Sequence, residues 1–415
     1  MASARPNTGV NTGIGASPRL HLPTQSASCR VLIPFPTPYL YGMERAVIET
    51  FDALRPEAES WFVQGSLIYA AGLPVIEEMR RRGLNIALLP DKHHWPQIGK
   101  PQSIRHFCKM LKAAVVGNLA ILKAAWNKDV LYVPSISYGH LAVLAALWCR
   151  IRNRRVIHHF HDLGTNTPTF PLWIPLVTDF VHNTEFGYVA VSKSLPAIRC
   201  KRNVVIPCIL DVESRGAEDP DAKRVLAGAR NIFFVGQVSK HKGVDMLLEA
   251  FKVVAGSYPD AMLHLVGGCA GNFRDELAEL CSHPILAGRV KCWGYRDDSL
   301  QLLRSAYVYV HTSPPSRFRE SFGRSVVEAM ALGVPAICFR SGALQEIVVH
   351  ECTGLLCDEN STELSKAITR MLDDSEFRNM CAKQAILRYQ LYYSPERLRR
   401  LWLALFKHPG KIARS

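Results

Sequence analysis

The sequence predicts an α/β protein of two Rossmann-like, doubly wound parallel-sheet domains facing a cleft. Three observations lead there. Short, continuous apolar runs alternate with helical patterns through both halves of the chain, as buried parallel strands and their crossover helices do. A polar break with Gly and Pro, residues 211–221 (DVESRGAEDPD), separates two such alternations. At 415 residues the chain has room for both.

The elements follow in order. Residues 1–28 are rich in Ser, Thr, Asn, Gly and Pro, lack periodicity and an apolar signal core, and are expected to be a disordered tail. The first domain, 29–210, opens with the buried strand Arg30 to Pro34 and a helix Met43 to Leu54. Further strands are expected at Asn85 to Leu89, Val130 to Val133, Val156 to Phe160, Tyr188 to Val191 and Asn203 to Ile206. Helices are expected at Ile104 to Trp126 and His140 to Arg150. The second domain, 211–392, alternates strand Ile232 to Val235, helix Val244 to Gly256, strand Met262 to Val266 and helix Arg274 to Cys281. It continues with strand Val290 to Trp293, helix Ser299 to Ser305, strand Val308 to His311, helix Gly323 to Leu332, strand Ala336 to Phe339 and helix Thr362 to Leu372. Residues 393–415 form a last helix returning to the first domain. Ser394 is its N-cap, Pro395 sits at N1, and Leu398, Leu401, Trp402 and Leu405 make its apolar stripe.

Composition narrows the function. With 48% hydrophobic and 21% charged residues the chain is globular, so disorder, collagen and coiled coil are excluded as descriptions of the whole. No run is apolar for long enough to span a bilayer. The 12 cysteines are scattered without a C-x-x-C pair, which argues against a disulfide scaffold or a structural zinc and for a reducing cytoplasm. An excess of 50 Lys+Arg over 36 Asp+Glu gives +14 and favours an anionic partner: nucleic acid, an acidic membrane or a phosphate-bearing substrate. No RNP-type, zinc-finger or helix-turn-helix signature appears, so nucleic acid is not the expected partner.

The most informative segment runs from Pro314 to Pro335 (PPSRFRESFGRSVVEAMALGVP). A strand ends near Ser313, the loop carries Glu320, and a helix starts around Phe322 whose exposed N–H groups suit a diphosphate. At about 1.5 Å of rise per residue, Glu320 and Glu328 lie roughly 12 Å apart or less, a span that fits two carboxylates gripping hydroxyls on either side of a pyrophosphate. Taken alone, this spacing favours an ordinary solvated helix face over a site.

The full string resembles glycosyltransferase family 4, with its form PS-x-x-(x)-E-x-F-G-x-x-x-x-E-A-M-A-x-G-x-P and its two-domain GT-B fold. The likeness continues at Ser341 to Val348, Thr353 to Leu356, Phe234 to Gln237 with Lys242-Gly243, and Val266 to Gly268. In the first half it covers Tyr41 to Arg45, His161-Asp162 and Val189 to Ser192. The resemblance implies a retaining, metal-independent hexosyl transfer from a UDP- or GDP-linked sugar to a saccharide or lipid-linked acceptor, in surface or exported polysaccharide assembly. It gives Glu320 the donor-sugar hydroxyls, Glu328 the ribose and Lys242 the diphosphate. Ser321, Phe322, Gly323, Gly236 and Gln237 would line the donor, and Gly42 would let backbone approach the phosphates. His161 would sit at the acceptor-side rim. No cofactor is implied.

Two departures stand out. The family usually has Arg where this chain has neutral Gln237; Lys240 and Arg317 are the nearby cations that could compensate. Residues 205–211 (VIPCILD) lack the usual Pro-Asn-Gly before Asp211, a change at the domain junction. Glu346 serves equally as a donor ligand or a helix cap. His158, His159 and His161 raise the question of a metal, and His159 and His161 share a strand face, but no third ligand stands at a recognisable spacing. No metal is therefore expected. Cys352 and Cys357 are expected to be buried small hydrophobes.

The basic residues Arg105, Lys109, Lys112, Lys123 and Lys128, interleaved with Phe107, Leu111, Val115 and Leu119, form an amphipathic helix: an ordinary surface helix, or one that docks on the anionic inner face of the cytoplasmic membrane. Alternative functions are a nucleotide-sugar epimerase of the same fold, a non-catalytic scaffold and a nucleic-acid binder.

Overall fold

The computed structural model describes residues 29–35, 42–64, 74–88, 104–134, 142–161, 163, 173–212 and 230–407. The tail, most of the 211–221 break and Asp162 lie outside the described residues.

Among the described residues, thirteen strands form two parallel sheets, with orders β3-β2-β1-β4-β5-β6-β7 and β10-β9-β8-β11-β12-β13. The first sheet comprises β1 Cys29–Pro34, β2 Ala58–Gln64, β3 Asn85–Leu88, β4 Val130–Val133, β5 Arg155–Phe160, β6 Asp179–His182 and β7 Arg202–Val205. The second comprises β8 Arg230–Val235, β9 Ala261–Val266, β10 Val290–Gly294, β11 Val308–His311, β12 Ala336–Phe339 and β13 Gly354–Cys357. In each, the strand order reverses beside the first strand, which makes the doubly wound switch point. β4, β11, β12 and β13 are buried at every position, the pattern of strands covered on both faces.

Most expected elements hold within one to three residues. One is overturned: Tyr188 to Val191 lies inside the helix Glu185–Ser194. Thr184 caps that helix, its side chain accepting from the Gly187 N–H at 3.0 Å. The strand of that region is β6, Asp179–His182, just upstream. A β-branched run resembling a strand was thus overruled by a cap before it. The structure adds β2, β13 and the helices Pro74–Arg81, Leu344–Ile347 and Ser375–Tyr392. In the last of these, Phe377, Met380, Leu387 and Leu391 spread around the axis, so no single stripe betrayed it, while Cys381, Ala385 and Tyr389 make its buried row.

The helix Pro395–Lys407 packs on the first domain. Leu398, Trp402 and Leu405 join the core around Val31, Phe51 and Phe62, and Trp402 Nε1 donates to the Pro207 carbonyl at 3.0 Å. Arg399 adds an ion pair to Glu57. Truncating a Trp so placed costs about 3–5 kcal/mol.

Candidate active site

The site is assembled at the carboxyl ends of parallel strands, where such sheets offer their crevice. β11 ends at His311, and Thr312, Ser313 and the loop to Gly323 follow before the helix Arg324–Ala331. Gly323 takes a left-handed conformation, φ 79°, at the N-cap. The first N–H groups of that helix have no intrahelical acceptor and form a positive pole.

Glu320 is the centre of this loop. It is 7% exposed, and its Oε1 accepts from Lys242 Nζ at 2.6 Å and Ser313 Oγ at 2.6 Å and lies 2.9 Å from His311 Nε2. Burial opposes ionisation, yet His311 and Lys242 prevail and hold the carboxyl well below the ordinary carboxylate range. His311 is oriented from behind, its Nδ1 2.9 Å from the Tyr309 hydroxyl, which also donates to Ser325 Oγ at 2.7 Å. Lys242 Nζ lies 3.8 Å above the centre of the Phe318 ring.

Two glycines make this packing possible. At Gly342, φ 55°, a Cβ would stand 2.2 Å from the Glu320 carbonyl oxygen, and the next residue's N–H donates to that oxygen at 2.9 Å. At Gly243, φ 69°, a Cβ would stand 2.0 Å from the Thr312 carbonyl oxygen; Thr312 Oγ1 in turn donates to the Lys242 carbonyl at 2.9 Å. The loops after β8, β11 and β12 are therefore clamped together by close backbone approach.

The first domain reaches the same loop. Ser321 Oγ donates to the His161 carbonyl at 2.6 Å, and Thr184 Oγ1 donates to the Ser321 carbonyl at 2.9 Å. The His161 ring is neutral, burial pushing its pKa down to about 3, and its Nε2 is buried without a hydrogen-bond partner. Glu328 accepts from Arg324 Nε at 2.8 Å, and the same guanidinium reaches both oxygens of Glu49 in the first domain, at 3.0 and 2.8 Å.

The structure joins Glu320, Ser321, Gly323 and Glu328 in one loop-and-helix unit, with Lys242 reaching Glu320 from the loop after β8 and the His161 carbonyl held by Ser321. Phe322 turns into the core, its ring tilted against that of Tyr393 with centroids 6.3 Å apart. Gly236 follows β8 and lies against Gly267, at which a Cβ would fall 1.9 Å from the Gly236 carbonyl oxygen. Gln237 is exposed. Gly42 opens the helix Gly42–Leu54 with nothing within 4 Å of where its Cβ would lie, so packing does not require a glycine there. Glu346 caps a helix: its carboxylate accepts from the N–H groups of Glu185 and Phe186, at 3.2 and 3.0 Å, across the domain boundary. The two cations near Gln237 are engaged, Lys240 with Glu276 and Arg317 with Asp245. Cys357 is buried as expected, whereas Cys352 is only half-buried.

Sequence reasoning missed His311, Ser313, Tyr309, Arg324 and Glu49. Two of these left a trace: His311 lies two residues from Tyr309 on one strand face, and Arg324 precedes Glu328 by four. Glu49 left none, because its partner is 275 residues away.

Fold and site together define a two-domain GT-B protein. Residues 218–388, in the second domain, match the family of glycosyl transferases group 1. An uncharacterised glycosyltransferase of Methanocaldococcus jannaschii is 32% identical over 157 residues, 37% of this chain and 38% of that one. The phosphatidyl-myo-inositol mannosyltransferase of Mycolicibacterium smegmatis is 27% identical over 259 residues, 60% of this chain and 64% of its own length. The chain spans about two fifths of the curated relatives it matches first, 38% and 39%. Among solved structures, a Rickettsia africae glycosyltransferase superposes with a TM-score of 0.76 at 16% identity, covering 94% of this chain and all (100%) of the other. Anabaena HepE in complex with UDP and glucose gives 0.72 at 19% identity, covering 91% and 99%. At such identities the likeness speaks for the fold.

Proposed function

We propose that the protein is a retaining hexosyltransferase that moves a sugar from a UDP- or GDP-linked donor to a hydroxyl of a saccharide or lipid-linked acceptor. The observation that carries this reading is the buried, ionised Glu320 held by Lys242 and His311 beside a helix N-terminus. Such a carboxylate accepts hydrogen bonds from donor-sugar hydroxyls. Lys242, now paired with it, is a cation within reach of a diphosphate, and the first turn of Arg324–Ala331 adds N–H donors for the charge that grows on the leaving group. Glu328 would hold the ribose, exchanging its bond to Arg324 for hydroxyls. His161, neutral and against Ser321, would sit at the acceptor side. In this mechanism the protein's own cation and helix pole stabilise the leaving diphosphate. The UDP and glucose in HepE and the lipid headgroup in the mannosyltransferase's name agree with this choice of donor and acceptor.

Under this proposal a membrane-borne acceptor would be met by the first domain. Val115, Leu119, Trp126, Leu144, Leu147 and Ile151 are all exposed on two neighbouring helices, Ile104–Ala125 with the turn after it and Val143–Ile151. Trp126 stacks on Trp148 at 4.2 Å, and Arg152 lies 5.4 Å over the Trp148 ring. Lys123, Arg150 and Arg152 are exposed on the same helices or just after them, so apolar and aromatic groups share these elements with cations, as in interfacial anchors. Lys128 is buried and takes no part, and the side chains of Arg105, Phe107, Lys109, Leu111 and Lys112 lie outside the described residues.

The test is thermal stability with UDP, GDP and ADP and their sugar conjugates. At 100-fold Kd a ligand adds about 2.7 kcal/mol to the native state. One nucleotide should raise the midpoint, and its sugar conjugate should be hydrolysed or transferred with retention; no shift with any of the three sinks the proposal.

A further inference from the structure

A second cluster lies behind the His161 contact. One ring nitrogen from each of His159 and His161 and the Cys208 Sγ lie within 4.8 Å of one another. His159 sits on β5 and His161 just past its end, so the period of two turns both rings to one face, 4.1 Å apart. Cys208 arrives from the segment after β7 that leads to the second domain, its N–H donating to Asn183 Oδ1 at 3.0 Å.

These groups have the chemistry of metal ligands. His159 Nδ1 is 2.5 Å from the Tyr132 hydroxyl, a contact that fixes the ring and leaves Nε2 as the free nitrogen. His159 is 0% exposed, and its Nε2 and that of His161 are both buried without a partner. Buried nitrogens in that state are uncommon and call for an occupant. Neutral imidazole is the form that ligates, through whichever ring nitrogen is not engaged elsewhere.

We propose that His159, His161 and Cys208 bind one zinc-class transition-metal ion, with a fourth ligand supplied from outside the cluster. Two imidazoles and a thiolate suit a tetrahedral Zn2+ or Co2+ ion and not a hard cation such as Mg2+ or Ca2+. On binding, the Cys208 S–H bond breaks, the sulfur–metal bond forms and the proton passes to buffer. Because the His161 carbonyl accepts from Ser321 Oγ, the ion would brace the first domain where it meets the Glu320 loop. This inference rests on the cluster alone and stands apart from the transferase proposal.

The full chain, reduced and treated with chelator, is titrated with Co2+. One equivalent should give a thiolate-to-cobalt charge-transfer band and the strong visible bands of a four-coordinate ion, both bleached by Zn2+. Cys208→Ser should lose the charge-transfer band, and His161→Gln should weaken cobalt binding by more than tenfold. Tyr132→Phe, which removes the orienting hydroxyl, should weaken it by about 10-fold or more. Cys292→Ser, at an exposed cysteine, should bind like the parent. Absence of saturable cobalt bands overturns the proposal. So do bands that survive both Cys208→Ser and His161→Gln, because the ion would then sit on other histidines and cysteines.

Discussion

Arg324 spans the domain boundary to Glu49, giving its Nη2 to both carboxylate oxygens while its Nε holds Glu328 four residues along its own helix. The Glu49 side chain is 0% exposed and that of Arg324 is 15% exposed, so the pair is shielded from solvent. Glu49 also accepts from the Asp211 N–H at 3.1 Å, which ties the crossing segment to the same carboxylate.

Taking one partner from a buried ion pair strands the other charge and costs about 3–5 kcal/mol. Arg324→Ala should therefore lower the urea midpoint markedly, and adding Glu49→Gln should recover part of the loss. The double-mutant cycle is the measurement. An Arg324→Ala protein that unfolds with the parent's midpoint would show that the contact contributes nothing.

The two glutamates should separate kinetically. Glu320→Gln keeps the shape but loses the charge that Lys242 and His311 face, and transfer should fall at least 100-fold with the fold intact by circular dichroism. Glu328→Ala should raise the donor KM by about 10-fold with a smaller effect on kcat, the order of one charged hydrogen bond. If both variants turn over like the parent, this loop is not the donor site.

Acid should weaken the protein well above the carboxylate range. Burial pushes His158 and His161 down to about 3, and His182 and His264 down to about 4, from an ordinary 6.5. Below 6.5 the unfolded chain takes up protons that these folded rings refuse. Stability is then full above 6.5 and lost as pH falls toward 3, each ring contributing at most about 1.4 kcal/mol per pH unit. Urea melts at pH 7.5 and pH 5 should show a clear drop at pH 5. Equal midpoints would mean that the rings are solvated in the fold.

The apolar patch on the first domain predicts membrane contact. The protein should co-sediment with vesicles containing phosphatidylglycerol and less with vesicles of phosphatidylcholine alone, with the difference shrinking in high salt. Trp126→Ser with Ile151→Ser should cut the bound fraction several-fold while leaving the melting midpoint nearly unchanged, since both side chains are exposed. Binding that ignores lipid charge and both substitutions would remove this surface from the proposal.

Much of the fold was legible because parallel strands, buried on both faces, write themselves as apolar runs such as Val308 to His311. The Glu320 loop was legible as a motif. What stayed hidden has a common cause: it depends on partners distant in the chain. His311 declares itself only once Glu320 folds back on it, and Glu346 could be placed as a cap only when Glu185 and Phe186 came across from the other domain. Cys208 gave no spacing signal with His159 and His161 because the sheet, rather than the sequence, sets their distance. Tyr188 to Val191 failed for a local reason, the Thr184 cap just ahead.

The helix Pro395–Lys407 begins after the second sheet yet completes the first core through Trp402. The polypeptide is thus threaded out and back, and the unit of exchange between such proteins is not a simple half. A chimera spliced once near Val212 would carry a foreign closing helix into the pocket lined by Val31, Phe51 and Pro207. Recombination that preserves folding needs two crossovers, one before β8 and one ahead of Ser394, so that the inserted domain is replaced and its host keeps its own last helix.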